Sequence, residues 1–279
     1  MHSSDALTEN SEWSLVEFVT VQSDAELVSD LLWSLGVVAI EELSDADENI
    51  VLRTSVGENP GVAIDEVLQH FPAVTTRSIQ ISRSVADTWR SHATPTWVTS
   101  SIVLVPAWLP APENSLPIFI EPADTFGLGN HPTTVLALRL ALQHTTPRST
   151  VFDLGCGSGV LGIAVAKFCE CQVDVNDIAM NAEHVVRKNC EVNEVATVSW
   201  SRWPSTRKYE VVLANILAPV LIAESTRITT SLVSSGLLVL SGMRDEQVDT
   251  VLQHYSTFSE VSRDTHDGWT AVALTAPRS

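Results

Sequence analysis

Seven consecutive residues, Asp153-Leu154-Gly155-Cys156-Gly157-Ser158-Gly159, carry the clearest chemical consequence in the chain. They follow an apolar run, Val151 to Leu154, and precede a helical pattern, Val160 to Phe168. In that strand-turn-helix setting a glycine-rich loop can approach a ligand. Glycine at 155, 157 and 159 brings backbone to where a side chain would collide. A nicotinamide fingerprint would place glycine at position 160, which is Val160, and a phosphate loop would continue into Lys and Ser or Thr, which are absent here. A ligand with positive groups fits better. S-adenosylmethionine has no phosphate but carries an ammonium and a sulfonium, which Asp153 can meet directly or by fixing the loop. The alternative is a tight strand-to-helix turn with no ligand.

Asp177 ends the next apolar run, Gln172 to Asn176. A carboxylate there can accept both hydroxyls of a ribose, or it can cap the helix that follows. Asp174 competes for the role but lies inside the strand. Asn215 closes Val211-Val212-Leu213-Ala214, where its amide oxygen can accept from an incoming amine or the side chain can serve a turn or cap. The segment Glu121-Pro122-Ala123-Asp124-Thr125-Phe126-Gly127-Leu128-Gly129-Asn130-His131-Pro132-Thr133-Thr134 stands just before a helix. Phe126 can cover a bound adenosine or sulfonium, and Thr134 can bond the cofactor near the helix start. A lone histidine such as His131 is more often structural than catalytic.

Strict strand–helix alternation positions these residues. Strands are expected at Val151–Leu154, Gln172–Asn176, Glu210–Ala214 and Leu237–Ser241, with helices at Val160–Phe168, Asn181–Val192, Pro219–Ile228 and Asp245–His254. Phe258–Ser262 and Trp269–Leu274, joined across His266-Asp267-Gly268, must pair antiparallel. A parallel sheet ending in an antiparallel hairpin is the shape of a Rossmann-like class I methyltransferase domain, which places the α/β domain at residues 121–279.

Residues 1–92 read as a separate α+β domain. Strands at Leu15–Val21, Val37–Leu43, Ile50–Val56 and Ser78–Ser82 alternate with two helices. One helix opens at a Ser23–Glu26 capping box and the other at Asn59-Pro60. The β-α-β-β-α-β order is ferredoxin-like. Between the domains, residues 93–120 hold Pro95, Pro106, Pro110, Pro112 and Pro117 around one short strand, Ser101–Val105, and read as a linker or semi-rigid bridge.

The chain has 279 residues, 44% of them hydrophobic, enough for a real core. Its net charge of −18 argues against a broad nucleic-acid surface and favours a basic partner, or serves solubility alone. No apolar run is long enough to span a bilayer, and the opening residues lack the pattern of a signal peptide. Cys156, Cys169, Cys171 and Cys190 form no Cys-x-x-Cys pair and read as reduced cytoplasmic thiols; no metal site is expected.

The string Phe126-Gly-x-Gly-x-His-Pro-Thr-Thr134, the Asp153–Gly159 loop and Ala214-Asn-Ile-Leu217 resemble the PrmA family. Enzymes of that family methylate ribosomal protein eleven of the large subunit. The resemblance extends over nearly the whole chain, including an N-terminal ferredoxin-like domain that in the family recognises the ribosomal protein. It implies cofactor contacts at Thr134, Gly155, Asp177 and Asn215, to which the residue chemistry adds Phe126, Asp153 and Gly157. It departs from the family pattern at Glu121-Pro122-Ala123, Leu128, Asn130 and Ala179-Met180.

The resemblance implies S-adenosylmethionine-dependent N-methylation of lysine or N-terminal α-amines on a basic ribosomal protein. Asn215 would orient the nucleophile. No residue stands out as a general base. Rival readings are a methyltransferase acting on another protein or a small molecule, and a cofactor-binding module without catalysis.

Overall fold

The computed structural model describes residues 12–34, 37, 40–45, 49–54, 56, 60–82, 93–121, 129, 131–179, 181–203 and 206–278. They fall into two compact units, Met1–Ala93 and Thr94–Ser279. In the first unit, β1 (Glu12–Thr20), α1 (Gln22–Ser34), β2 (Ile40–Ser44), β3 (Ile50–Thr54), α2 (Pro60–His70) and β4 (Thr75–Ser82) follow the expected order. The strands are antiparallel and lie as β2-β3-β1-β4, the ferredoxin-like arrangement. Alternate residues Val16, Phe18, Ile50 and Leu52 turn to one face and pack on Val28 and Leu32 of α1 and Val67 of α2.

On the other face one row of charges crosses all four strands in register: Glu41, Arg53, Glu17 and Arg77. Arg53 lies 2.7 Å from Glu17 and 2.9 Å from Glu41, and Arg77 also bonds Glu17. Burial pushes the Glu17 carboxyl up, but the two guanidiniums more than offset it and hold it below its usual range. Helix α1 starts at Gln22, ahead of the expected Ser23 cap, and the Ser23 hydroxyl donates instead to the Asp24 carboxylate.

The proline-rich segment departs most from expectation. It forms a three-stranded sheet, with β5 (Thr96–Trp97) antiparallel to β6 (Ile102–Pro106) and β6 parallel to β7 (Leu116–Ile120). Its Val98, Leu104, Ile118 and Ile120 are buried in the same core as the helices of the second unit, so these residues belong to that unit rather than to a linker. The prolines tolerate this because Pro106 ends its strand and Pro117 lies on the outer strand of the small sheet.

The rest of the unit runs α3 (Pro132–His144), β8 (Thr150–Leu154), α4 (Val160–Cys169), β9 (Gln172–Asn176), α5 (Ala182–Val192), β10 (Val198–Trp200), β11 (Tyr209–Asn215), α6 (Ala218–Ala223), α7 (Ser225–Thr230), β12 (Leu232–Arg244), α8 (Val248–Gln253), β13 (Ser259–His266) and β14 (Trp269–Thr275). Seven strands form one sheet in the order β10-β9-β8-β11-β12-β14-β13. The first five are parallel, and β14 is antiparallel to both its neighbours.

Strict alternation along these strands divides the core into two layers. Val151, Val173, Val175, Val211, Leu213, Val239 and Ala273 face α3, α4 and α5. Phe152, Leu154, Val212, Ala214, Leu238, Leu240 and Val272 face α6, α7 and α8. A sheet covered on both sides needs such continuous apolar strands. The single helix expected over Pro219–Ile228 is broken at Glu224, whose carboxylate accepts from Trp203 Nε1 and Arg227. The β-branched run that follows favours helix weakly. Asp245–Gln247 forms a 3-10 turn before α8, where a helix from Asp245 was expected.

Candidate active site

Five of the expected site residues converge at the carboxyl ends of β8, β9 and β11, with Thr134 reaching them from the first turn of α3. Gly155, Gly157 and Gly159 take φ of +68°, +53° and +82°, a left-handed conformation that side-chain-bearing residues resist. Gly155 and Cys156 donate to the Asn176 carbonyl at 2.9 and 3.1 Å, which ties the loop to the end of β9. The Asp177 carboxylate completes the tie: Oδ2 accepts from the Gly157 amide and Oδ1 from the Ala179 amide, each at 2.8 Å. Asp177 therefore links the two loops instead of capping α5, whose cap position is Asn181. An ionised carboxylate has about four lone-pair sites, so the two amides leave room for two hydroxyls.

Asp153 lies beneath the loop on the α4 face of the sheet, 1% exposed. Its Oδ2 accepts from the Gly162 amide at 2.8 Å, one of the free donors in the first turn of α4, whose own cap residue Gly159 has no side chain to offer. The printed contact of Asp153 is thus with the start of α4, the helix that follows the glycine loop. Oδ1 is buried and has no hydrogen-bond partner among the described residues. Burial, opposed by the Gly162 hydrogen bond and aided by the nearby Asp177 charge, raises the carboxyl to about 7.

Asn215 ends β11, and its Nδ2 lies 3.3 Å from Thr134 Oγ1. It does not cap α6, whose cap position is Leu217. His131 is the cap of α3: its Nδ1 accepts from the Thr133 amide at 3.3 Å and lies 2.8 Å from the Thr133 hydroxyl. Burial, then the charge of Arg244, lowers the His131 pKa and favours the neutral ring that this capping requires. The His131 ring meets Trp269 edge-on at 4.9 Å, and Arg244 stacks on Trp269 at 4.1 Å, so the end of the β14 hairpin braces the start of α3. Asp174 is engaged elsewhere, accepting from Tyr209 Oη at 2.8 Å and Arg207 at 3.1 Å. Phe126 lies outside the described residues. The four cysteines are free and buried, and burial pushes the Cys190 and Cys171 thiols up to about 11.

Three residues beyond the expected ones also lie at this edge of the sheet. Ser241 pairs with Asn215 across β11 and β12, donates its hydroxyl to the Thr133 carbonyl at 2.9 Å, and offers its own carbonyl to the Ile216 amide. Gly242, at φ +88°, allows Ile216 to pass: a Cβ there would stand 2.3 Å from the Ile216 carbonyl oxygen. The signal available was a Ser-Gly pair closing an apolar strand. Ile178, beside Asp177, is 95% exposed, an unusual position for a large aliphatic side chain.

The strand order, the antiparallel β14 and the glycine loop at the end of β8 define a Rossmann-like methyltransferase. The sequence profile of the ribosomal protein L11 methyltransferase (PrmA) family matches residues 63–277, and the chain belongs to that family. The ribosomal protein L11 methyltransferase of Thiobacillus denitrificans is 30% identical over 92% of this chain and 97% of its own length. That of Geobacter metallireducens is 34% identical over 74% of this chain and 70% of its own. Among solved structures, a ribosomal protein L11 methylase from Lactobacillus delbrueckii subsp. bulgaricus shares the fold, with a TM-score of 0.60 and 24% identity over 67% of this chain and all of that one.

Proposed function

We propose that this chain binds S-adenosylmethionine at the carboxyl edge of its seven-stranded sheet and methylates amines of ribosomal protein L11. The observation that carries the reading is the convergence of Asp177, the glycine loop, Thr134 and Asn215 on one edge, in a chain of this family. The residues fit a cofactor of this kind. Asp177 has acceptor sites for a ribose, and the exposed Ile178 can lie against an adenine. When bound, the cofactor supplies an electrophilic methyl group.

The residues of the chain then have to position an amine. Donation from Nδ2 to Thr134 orients the Asn215 amide, and its Oδ1 makes no hydrogen bond among the described residues. That oxygen can accept an N–H of the incoming amine and aim the nitrogen lone pair. An α-amine, with a pKa of about 7.7–8.0, is partly neutral at pH 7 and needs little beyond positioning. A lysine, at about 10.4, must also shed a proton, which costs roughly 4–5 kcal/mol at that pH and is eased by desolvation at the sheet edge.

The first unit serves as the recognition domain for the protein substrate, and the net charge of −18 suits a basic partner reached in the cytoplasm. Incubating the chain with ribosomal protein L11 and S-adenosylmethionine, then weighing the intact substrate, tests the reading. A mass increase by whole methyl groups supports it, and an unchanged mass opposes it.

A further inference from the structure

Two buried asparagines of α5 and its C-terminal cap treat the outer strand of the small sheet as if they were a fourth strand. Asn193 Oδ1 accepts from the Phe119 amide at 2.9 Å, and its Nδ2 donates to the Phe119 carbonyl at 2.6 Å. One turn earlier, Asn189 does the same for Glu121, accepting from its amide and donating to its carbonyl, both at 2.9 Å. The match has a geometric basis. Four helical residues advance about 6 Å, close to the roughly 6.6 Å between alternate residues of a strand, which are the ones whose backbone groups point to the same edge.

The two asparagines differ in one respect. Nδ2 of Asn189 also donates to the Ser158 carbonyl at 2.9 Å, inside the glycine loop, whereas Asn193 turns its second donation to the Asn189 carbonyl. Asn189 is 0% exposed, so both donors and one acceptor position are spent on backbone partners out of reach of water at the asparagine itself. Ser158 stands next to Gly157, which Asp177 holds, and Glu121 opens the segment that ends at the His131 cap of α3. One side chain thus joins the glycine loop to the base of the segment leading to Thr134.

We infer that Asn189 is a positioning residue for the cofactor: its amide ties the Ser158 carbonyl of the glycine loop to Glu121 at the end of β7 and so holds the loop in its binding shape. The inference rests on the proposal that this loop holds S-adenosylmethionine. Asn193 provides an internal control, because it makes the same strand-like pair without touching the loop.

Titration calorimetry with S-adenosylmethionine and thermal melting, on the full chain and on Asn189→Ala and Asn193→Ala, separate the roles. Both variants should melt earlier. Asn189→Ala should bind the cofactor about tenfold more weakly or worse, and Asn193→Ala within about threefold of the parent. Equal affinities in the two variants would overturn the inference while leaving the site itself standing. A parent chain that binds no S-adenosylmethionine would remove the site and the inference together. Should Asn189→Ala fail to fold, amide exchange in the parent chain decides. Adding cofactor should slow exchange of the Glu121 amide and leave that of Phe119 unchanged; an equal response of both, or none, would overturn the inference.

Discussion

Asn215 and Thr134 meet at 3.3 Å across the carboxyl edge of the sheet, one at the end of β11 and the other in the first turn of α3. The contact orients the Asn215 amide with its oxygen away from Thr134, and Ser241 fixes both partners by bonding the Thr133 carbonyl and the Ile216 amide. An oriented acceptor of this kind acts mainly on the transition state. Asn215→Ala should therefore lower the single-turnover rate about thirty- to a thousand-fold, while cofactor affinity changes far less. A folded variant with a normal single-turnover rate would take Asn215 out of the mechanism.

Asp177 ties two loops together and is proposed to hold the ribose, and its replacement should show both roles. Asp177→Ala loses the acceptors of the Gly157 and Ala179 amides as well as those proposed for the ribose. Binding of S-adenosylmethionine should weaken by roughly 1.5–3 kcal/mol, with a lower melting temperature. Unchanged affinity in calorimetry would place the ribose elsewhere.

Much of this arrangement is visible before folding, and the part that is not has a physical explanation. The two-faced apolar strands β8, β9 and β11 announce themselves by composition, and the glycine loop by its place between strand and helix. Strand β10 has three residues, too few to show a period, and β5 and β7 are masked by prolines that sit only where an edge or a strand end admits them. Contacts such as Asn215 with Thr134 or Asn189 with Ser158 join residues far apart in the chain, and spacing along a sequence carries no record of them. Spacing likewise leaves ribose contact and helix cap open at Asp177, and the structure removes only the cap, by placing the carboxylate on the Gly157 and Ala179 amides.

The buried carboxyl of Asp153 makes a pH-dependent signature. In the unfolded chain an aspartic acid ionises near 3.9, while in the fold Asp153 holds its proton to about 7. Between those values the unfolded chain has released a proton that the folded chain keeps, so this group's contribution falls as pH rises, by about 1.4 kcal/mol per pH unit. Asp153→Asn removes the titration. The melting temperature of the variant relative to the parent should rise between pH 5 and pH 8, whereas a difference constant across that range would mean that Asp153 remains ionised throughout.

The position of the small sheet sets where the chain can be cut. A fragment from Thr94 retains β5, β6 and β7, and should fold and bind cofactor yet methylate the ribosomal protein poorly, since it lacks the proposed recognition unit. A fragment from Leu116 loses the buried Val98, Val103, Leu104 and Val105, each worth about 1.5–3 kcal/mol of burial, and should not fold. Circular dichroism and calorimetry on the two fragments check the first point. Full turnover by the Thr94 fragment on the intact ribosomal protein would refute a recognition role for the first unit.

The most direct test of the central claim is mass spectrometry of ribosomal protein L11 after incubation with this chain and S-adenosylmethionine, with the modified atoms located by peptide fragmentation. Whole-methyl increments on lysine or N-terminal amines are expected, strongly reduced with Asn215→Ala. Ribosomal protein L11 left unmodified by a folded chain that binds S-adenosylmethionine, or methyl groups found on atoms other than amines, would contradict the claim.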